Sequence, residues 1–300
     1  MIVLWRIHAH VPSVSTRYLA LTTSSLIRAL LGKVLTFGRM CQHNISFLIT
    51  GLVGVMHSLA HFHPSISITP SPSQSPHFTN LPHHLTNPTT VVWKVTPLFA
   101  SWLSSSTNIL ATSSLLTPSS TILELGAGVS GIVALALGPT VSKYTATDQS
   151  YVLKLLRQNI ADNLATVFPK PKKMGRGKSV EIGKGRIEAV ELDWETSDVS
   201  QLQDVDIVVA CDCIYNEALI EPLNGTCAAI CRLRQKRDQE NGSGRPTLCL
   251  IAQQLRSPDV FEAWLKSFHD KFEVWKVPDE MLDHELREGS GFVVHVGIVR

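Results

Sequence analysis

One glycine-spaced turn limits what this chain can fold into. Residues 121–131 read TILELGAGVSG, with Gly126, Gly128 and Gly131 at the spacing G-x-G-x-x-G. Ahead of them, Thr121-Ile122-Leu123 is β-branched and apolar and follows the turn-like Thr117-Pro118-Ser119-Ser120, which predicts a short buried strand. Behind them, Ile132–Leu137 can continue as a helix packed on a sheet. Glycine permits the tight turn and lets backbone approach a ligand, and the next helix presents its N-terminus. Alone, the pattern fits a dinucleotide site, a site for another nucleoside-type cofactor, or a strand–helix turn with no ligand.

The second strand narrows that choice. Tyr144-Thr145-Ala146-Thr147 ends in Asp148, 22 residues beyond Gly126, where an acid at a strand tip can hydrogen-bond a ribose diol. Glu124 stands just ahead of the first glycine. A carboxylate there repels a diphosphate and suits a ligand with an amino-acid end and a positive sulfur. The reading turns from NAD toward S-adenosylmethionine.

Charge divides the chain in two. The net charge of +2 hides a first part, 1–123, with six basic residues and no acid, and a second part holding all 25 acids. The second part has a globular composition. Residues 1–63 form an atypical extension, Ser/Thr-rich, with Arg6, Arg17, Arg28, Lys33 and Arg39 scattered among apolar residues, followed by the apolar stretch 45–62. That stretch is long enough for a marginal membrane span, but His57, His61 and two glycines weaken it. A targeting or anchoring segment, a packed extension and translated non-coding sequence all remain open for 1–63. A Pro-rich lead-in covers 64–90, and the main domain covers 91–300. The six cysteines show no paired framework and sit mostly in apolar segments, as reduced thiols do in a cytoplasmic protein. Cys211-x-Cys213 has no second pair at ligand spacing, so no metal site is expected.

Downstream, Pro97–Leu103 predicts a helix with proline in its first turn. Composition favours Trp93, just before it, as a core anchor over a lid on a ligand. Val152, Leu156, Ile160 and Leu164 recur every fourth residue and mark a helix face. The basic, Gly-rich segment 169–185 reads as an inserted loop; a contact to RNA through it is a weaker reading, because no aromatic residue is interleaved. Arg186–Val190 predicts a third strand, with Asp193 and Trp194 just past its tip, where a carboxylate and an indole can bond and cover an adenine. Asp206–Ala210 predicts a fourth, delivering Cys211-Asp212-Cys213-Ile214-Tyr215 to the edge where such sheets place their chemistry. For Asp212, capping of the next helix is the plain alternative; for Tyr215, packing under the sheet. A helix from Pro222 to about Arg234, a charged loop over 232–245, a fifth strand at Thr247–Ala252, a helix capped by Asp259, and an antiparallel pair, Phe272–Val277 and Phe292–Val299, complete the reading.

These elements, in this order, resemble the seven-stranded methyltransferases that use S-adenosylmethionine: a Rossmann-like α/β sheet with helices on both faces and an antiparallel last strand. Within that fold the sequence is similar to the protein-lysine methyltransferases of methyltransferase family 16, and in particular to the fungal enzymes acting on ribosomal large-subunit protein L1. The shared elements are Glu124–Gly131, Asp148, Trp194, the D-x-I-Y of Asp212–Tyr215, Glu221-Pro222-Leu223 and the lead-in Trp93. The resemblance covers about 64–300 and departs at Val129-Ser130. It implies that Trp93, Gly126, Ala127, Gly128, Asp148, Trp194 and the backbone at Cys211 line the cofactor site, and that Asp212 and Tyr215 face the reacting amine. The implied chemistry is methyl transfer to a lysine of a protein substrate by a monomer. Rival readings are an NAD-type oxidoreductase, for which no hydride-transfer pair is found on later strand tips; a binding scaffold without catalysis; and methylation of RNA or a small molecule. Against the last, Cys213-Ile214 stands where amine-methylating RNA and small-molecule enzymes carry two prolines.

Overall fold

The computed structural model describes residues 92–168, 186–241 and 244–300, with backbone alone for 236–241. The readings of 1–63, of the Pro-rich 64–90 and of the basic loop 169–185 fall outside the described residues.

Seven strands form one sheet. In it, β1 (Thr121–Leu125), β2 (Lys143–Asp148), β3 (Ile187–Glu191), β4 (Ile207–Cys211) and β5 (Leu248–Gln254) run parallel. The last strand, β7 (Phe292–Val299), is antiparallel and lies between β5 and β6 (Phe272–Lys276), giving the order β3-β2-β1-β4-β5-β7-β6. This is the expected architecture. Every residue of β4 is buried, as an interior parallel strand covered on both faces requires.

Alternation along the strands separates two apolar layers. Ile122, Tyr144 and Val209 face a core built with α1 (Val95–Ser104), α3 (Ile132–Leu137) and α4 (Ser150–Val167). Leu123, Leu125 and Val208 face the opposite core, built with α5 (Ile220–Asn241) and α6 (Pro258–Lys271). The predicted stripe of α4 is buried at Val152, Leu156 and Ile160, and Leu153 broadens it. A short helix, α2 (Ile109–Thr112), was not expected; the Asn108 side chain caps it by accepting from the Leu110 and Ala111 N–H groups. The indole of Trp102 fastens α1 to the β6–β7 connection by donating to Met281 O at 2.8 Å.

Two boundaries differ from the sequence reading. The segment 232–241 continues α5 rather than forming a loop, because its Arg, Gln, Lys and Glu residues are good helix formers. Ser257, not Asp259, caps α6, with Pro258 at the first helical position; Asp259 sits inside the first turn, where a negative charge complements the helix dipole.

From β1 the chain builds outward through β2 and β3, then returns to place β4 on the other side of β1. The carboxyl ends of β1 and β4 therefore diverge into a crevice, the place where open α/β sheets hold ligands.

Candidate functional site

All ten residues singled out from the sequence line one cleft in that crevice: Trp93, Gly126, Ala127, Gly128, Asp148, Asp193, Trp194, Cys211, Asp212 and Tyr215. They come from the lead-in to α1 and from the tips of β1, β2, β3 and β4. The cleft holds about 880 Å³ of space, part of it open to solvent. Five acidic residues line it (Glu124, Asp148, Asp193, Glu195 and Asp212), and no Lys, Arg or His does so among the described residues.

The glycine loop owes its shape to left-handed backbone. Gly126 has φ 67°, and a β-carbon there would fall 2.7 Å from Cys213 Sγ and 2.9 Å from Trp194 Cζ2. Gly131, at φ 58°, packs against Leu156 and Ile160 of α4 just as closely. Asp148 ties the loop to β2: its Oδ2 accepts the Gly128 N–H at 2.8 Å and its Oδ1 the Gln149 N–H at 2.8 Å. Burial pushes its carboxyl above the ordinary range, opposed by those two hydrogen bonds. Asp193 accepts from Gln149 Nε2 at 2.9 Å and from the Glu195 N–H at 2.8 Å. The Glu195 bond, followed by the Gln149 bond, holds its carboxyl below the ordinary range.

Glu124 is a buried acid inside a core strand, 2% exposed. The Tyr144 hydroxyl donates to its Oε2 at 2.9 Å. Desolvation raises its pKa to about 8, with the Tyr144 bond pulling down and the Asp148 charge pushing up. At neutral pH the group therefore sits in the cleft wall as a neutral acid.

Asp212 follows β4 with φ 60° and is 3% exposed. It does not cap the following helical turn, where Asn216 accepts the Ala218 N–H. Its carboxylate turns toward β5 and is held there by Arg256 and by the Gln254 N–H at 3.1 Å. Trp93 is not a core anchor. It is half-buried at the cleft, with the Arg256 guanidinium 4.7 Å from its ring centre. Tyr215 is 43% exposed rather than packed under the sheet, and desolvation of its buried part raises its phenol pKa. Cys211 donates to Thr96 Oγ1 at 3.7 Å and Cys213 to Leu125 O at 3.3 Å. Burial pushes both thiols well above their ordinary range, which leaves them unreactive. No group of three potential metal ligands occurs among the described residues.

Sequence reasoning missed Arg256, along with Thr96, Gln149 and Tyr151 of the cleft wall. The signal for Gln149 was its place beside Asp148. Arg256 carried none, since its partner Asp212 lies 44 residues earlier.

The sequence is similar to several known proteins. Ribosomal lysine N-methyltransferase 5 of Zygosaccharomyces rouxii is 32% identical over 205 residues, 59% of this chain and 62% of that protein. Its namesake in Vanderwaltozyma polyspora is 28% identical over 237 residues, 64% of this chain and 70% of that one. A diaminohydroxyphosphoribosylamino-pyrimidine deaminase of Schizosaccharomyces pombe is 29% identical over 187 residues, 61% of this chain and 38% of that one. The chain thus spans less than two thirds of the first and third of these relatives. Among solved structures, an O-methyltransferase family protein from Burkholderia thailandensis is 11% identical, with a TM-score of 0.43 over 68% of this chain and 56% of that one. A family profile described as lysine methyltransferase matches residues 83–237, a little over half of the sequence. The chain belongs to the lysine methyltransferase family.

Proposed function

We propose that this protein methylates a lysine ε-amine of a protein substrate, using S-adenosylmethionine, and that the substrate is a ribosomal protein, with large-subunit protein L1 as the first candidate. The charge of the cleft carries the reading. Glu124 holds its proton at neutral pH and Asp212 is paired with Arg256, so the remaining acids that line the cleft, Asp148, Asp193 and Glu195, with no basic residue among the described lining, suit a cationic donor and an amine and disfavour the diphosphate of a dinucleotide. Two relatives bear the name ribosomal lysine N-methyltransferase, which supports the choice of substrate.

The donor set fits the cofactor. Asp148, anchored on its inner side by two backbone N–H groups, keeps acceptor lone pairs for a ribose diol. Trp194 and Asp193 stand where a base can be covered and bonded, and Glu124 faces the end where a positive charge would lie. When bound, S-adenosylmethionine supplies a methyl group already activated on a sulfonium.

The chain's own task is then alignment and the exclusion of water. Trp93 and Trp194 wall the cleft with apolar rings. Asp212, buried and paired with Arg256, fixes the cleft wall beside the amine, and the exposed Tyr215 hydroxyl gives the polar contact at the mouth. The buried, unpaired cysteines support a reducing compartment, and the cytoplasm is the proposed setting. The proposed active form is a monomer.

Isotope-labelled S-adenosylmethionine, isolated ribosomal proteins and total RNA test the proposal. The expected result is label on lysine of one basic protein, resistant to RNase and lost with Asp148→Ala, whose cofactor binding is weakened. Label in RNA, or cofactor binding without any transfer, refutes it.

A further inference from the structure

Arg256 lies just past β5, in the connection Leu255-Arg256-Ser257, and reaches two other elements of the cleft. Its guanidinium grips Asp212 at the tip of β4 with two prongs, Nη1 to Oδ1 at 2.8 Å and Nη2 to Oδ2. The Gln254 N–H donates to the same Oδ1 at 3.1 Å, and Arg256 Nη2 also donates to Gln254 Oε1 at 3.0 Å. The Asp212 side chain is fully buried on left-handed backbone, so it is a fixed anchor with its oxygens turned to β5. Two-pronged pairing with a carboxylate sets the plane of the guanidinium as well as its position.

The guanidinium so fixed lies over Trp93, with its carbon 4.7 Å from the ring centre. A cation over an indole is attracted by the electron-rich face of the ring. The local backbone does little to order this side chain. Trp93 precedes α1, in backbone that is neither helix nor strand, and Lys94 gives α1 no side-chain cap. The Trp93 carbonyl accepts the Thr96 N–H at 3.0 Å, which places the backbone but not the ring. Yet the ring is half-buried and lines the cleft. A side chain that must be ordered when a ligand binds weakens binding, and one already held in place does not.

We infer that Arg256 and Asp212 are positioning residues for Trp93. Their ion pair joins the tips of β4 and β5, and the guanidinium it fixes holds the indole as a wall of the cofactor cleft before the ligand arrives. The pair thus serves the binding of S-adenosylmethionine through Trp93, and no step of the transfer passes through the Asp212 carboxylate. The inference rests on this cleft being the cofactor site proposed above, and it holds whichever substrate receives the methyl group.

The test uses the full chain and S-adenosylhomocysteine, the demethylated form of the donor, with binding measured by calorimetry. The parent, Arg256→Met, Trp93→Ala and the double variant form a cycle. Arg256→Met weakens binding roughly two- to tenfold, the cost of ordering one large side chain on binding. Trp93→Ala weakens it as well, and adding Arg256→Met to Trp93→Ala weakens it no further. A residue that only supported the fold would weaken both backgrounds alike. In the free protein, the Trp93 emission, taken as the difference between each protein and its Trp93→Phe form, becomes more accessible to acrylamide in Arg256→Met. Urea unfolding is the control for folding. If Arg256→Met fails to fold, Arg256→Met with Asp212→Asn takes its place, because that pair leaves no unpaired buried charge. Equal weakening with and without Trp93, unchanged binding in either single variant, or unchanged quenching overturns the inference. If the parent binds no S-adenosylhomocysteine, or Asp148→Ala binds it as well as the parent does, the reading of the cleft falls and this inference with it; if the parent binds it and the cycle shows no coupling, this inference alone falls.

Discussion

Glu124→Gln isolates the buried acid in the cleft wall. With a pKa of 4.5 in the unfolded chain and about 8 in the folded one, the side chain keeps its proton on folding across most of the neutral range. Below pH 4.5 both states are protonated and its full contribution to stability is present. Between 4.5 and about 8 the unfolded chain releases the proton and the folded chain holds it, so stability falls by roughly 1 kcal/mol per pH unit. Above about 8 both states are ionised and the loss, on the order of 4 kcal/mol, is complete. Glutamine keeps an acceptor for the Tyr144 hydroxyl and has no proton to lose. Urea unfolding from pH 5 to 9 is the assay. The variant and the parent begin close together at pH 5, and the variant gains on the parent by roughly 3 kcal/mol by pH 8. Parallel curves over that interval refute the buried-acid reading. The same proton has a functional consequence. Glu124 ionises when a cation enters beside it, so cofactor binding at pH 7 releases a proton, seen by calorimetry in buffers of different ionisation enthalpy, and Glu124→Gln releases none.

Two further substitutions test the frame. Gly126→Ala forces a side chain onto φ 67° and into Cys213 Sγ at 2.7 Å, for a loss of about 2–5 kcal/mol by urea unfolding and loss of cofactor binding; adding Cys213→Ala removes the closest clash and returns part of the stability. His295 is buried against Phe261 and Trp264, and desolvation, then the Lys276 charge, lowers its pKa to about 3. As pH falls below 6.5 the unfolded chain binds a proton that the folded chain refuses, so stability drops by roughly 1 kcal/mol per unit. His295→Phe removes that drop, and an equal fall in Tm between pH 7 and pH 4 in both proteins contradicts the assignment.

The parts of this protein that a reader of the sequence can find are those whose cause is local. β1 and β4 are apolar runs closed by turn residues, and the glycine spacing forces a turn between β1 and α3, so strands, loop and cleft-lining tips follow directly. What escaped was set by pairing across the sheet. Cys211 of β4 lies opposite Ala252 of β5, which brings the residues just beyond each strand, Asp212 and Arg256, into contact. In the sequence, Arg256 is one polar residue in a turn after a strand, indistinguishable from a solvated one. Trp93 was misjudged for a related reason. Its apolar bulk suggests a core, but Trp102, within α1 itself, fills that role, with 1% exposure and a bond to Met281 O. The end of α5 was missed because its last turns carry no apolar stripe to mark the helix.

Glu124 and Asp212 are both buried acids beside one cleft, and burial is compensated in each by a different device. Desolvation leaves Glu124 holding its own proton, with the Tyr144 hydroxyl on its oxygen. Asp212 is matched by a guanidinium and a backbone N–H. The difference decides what each can do when a ligand arrives. A proton is released into solvent when a cation draws near, so Glu124 is a charge held in reserve for the cofactor. A two-pronged guanidinium stacked on Trp93 is not lost so readily, so Asp212 remains in its ion pair. Under the proposed function, Glu124 is the acid whose charge can change beside a sulfonium, while the Asp212–Arg256 pair adds no net charge to the cleft.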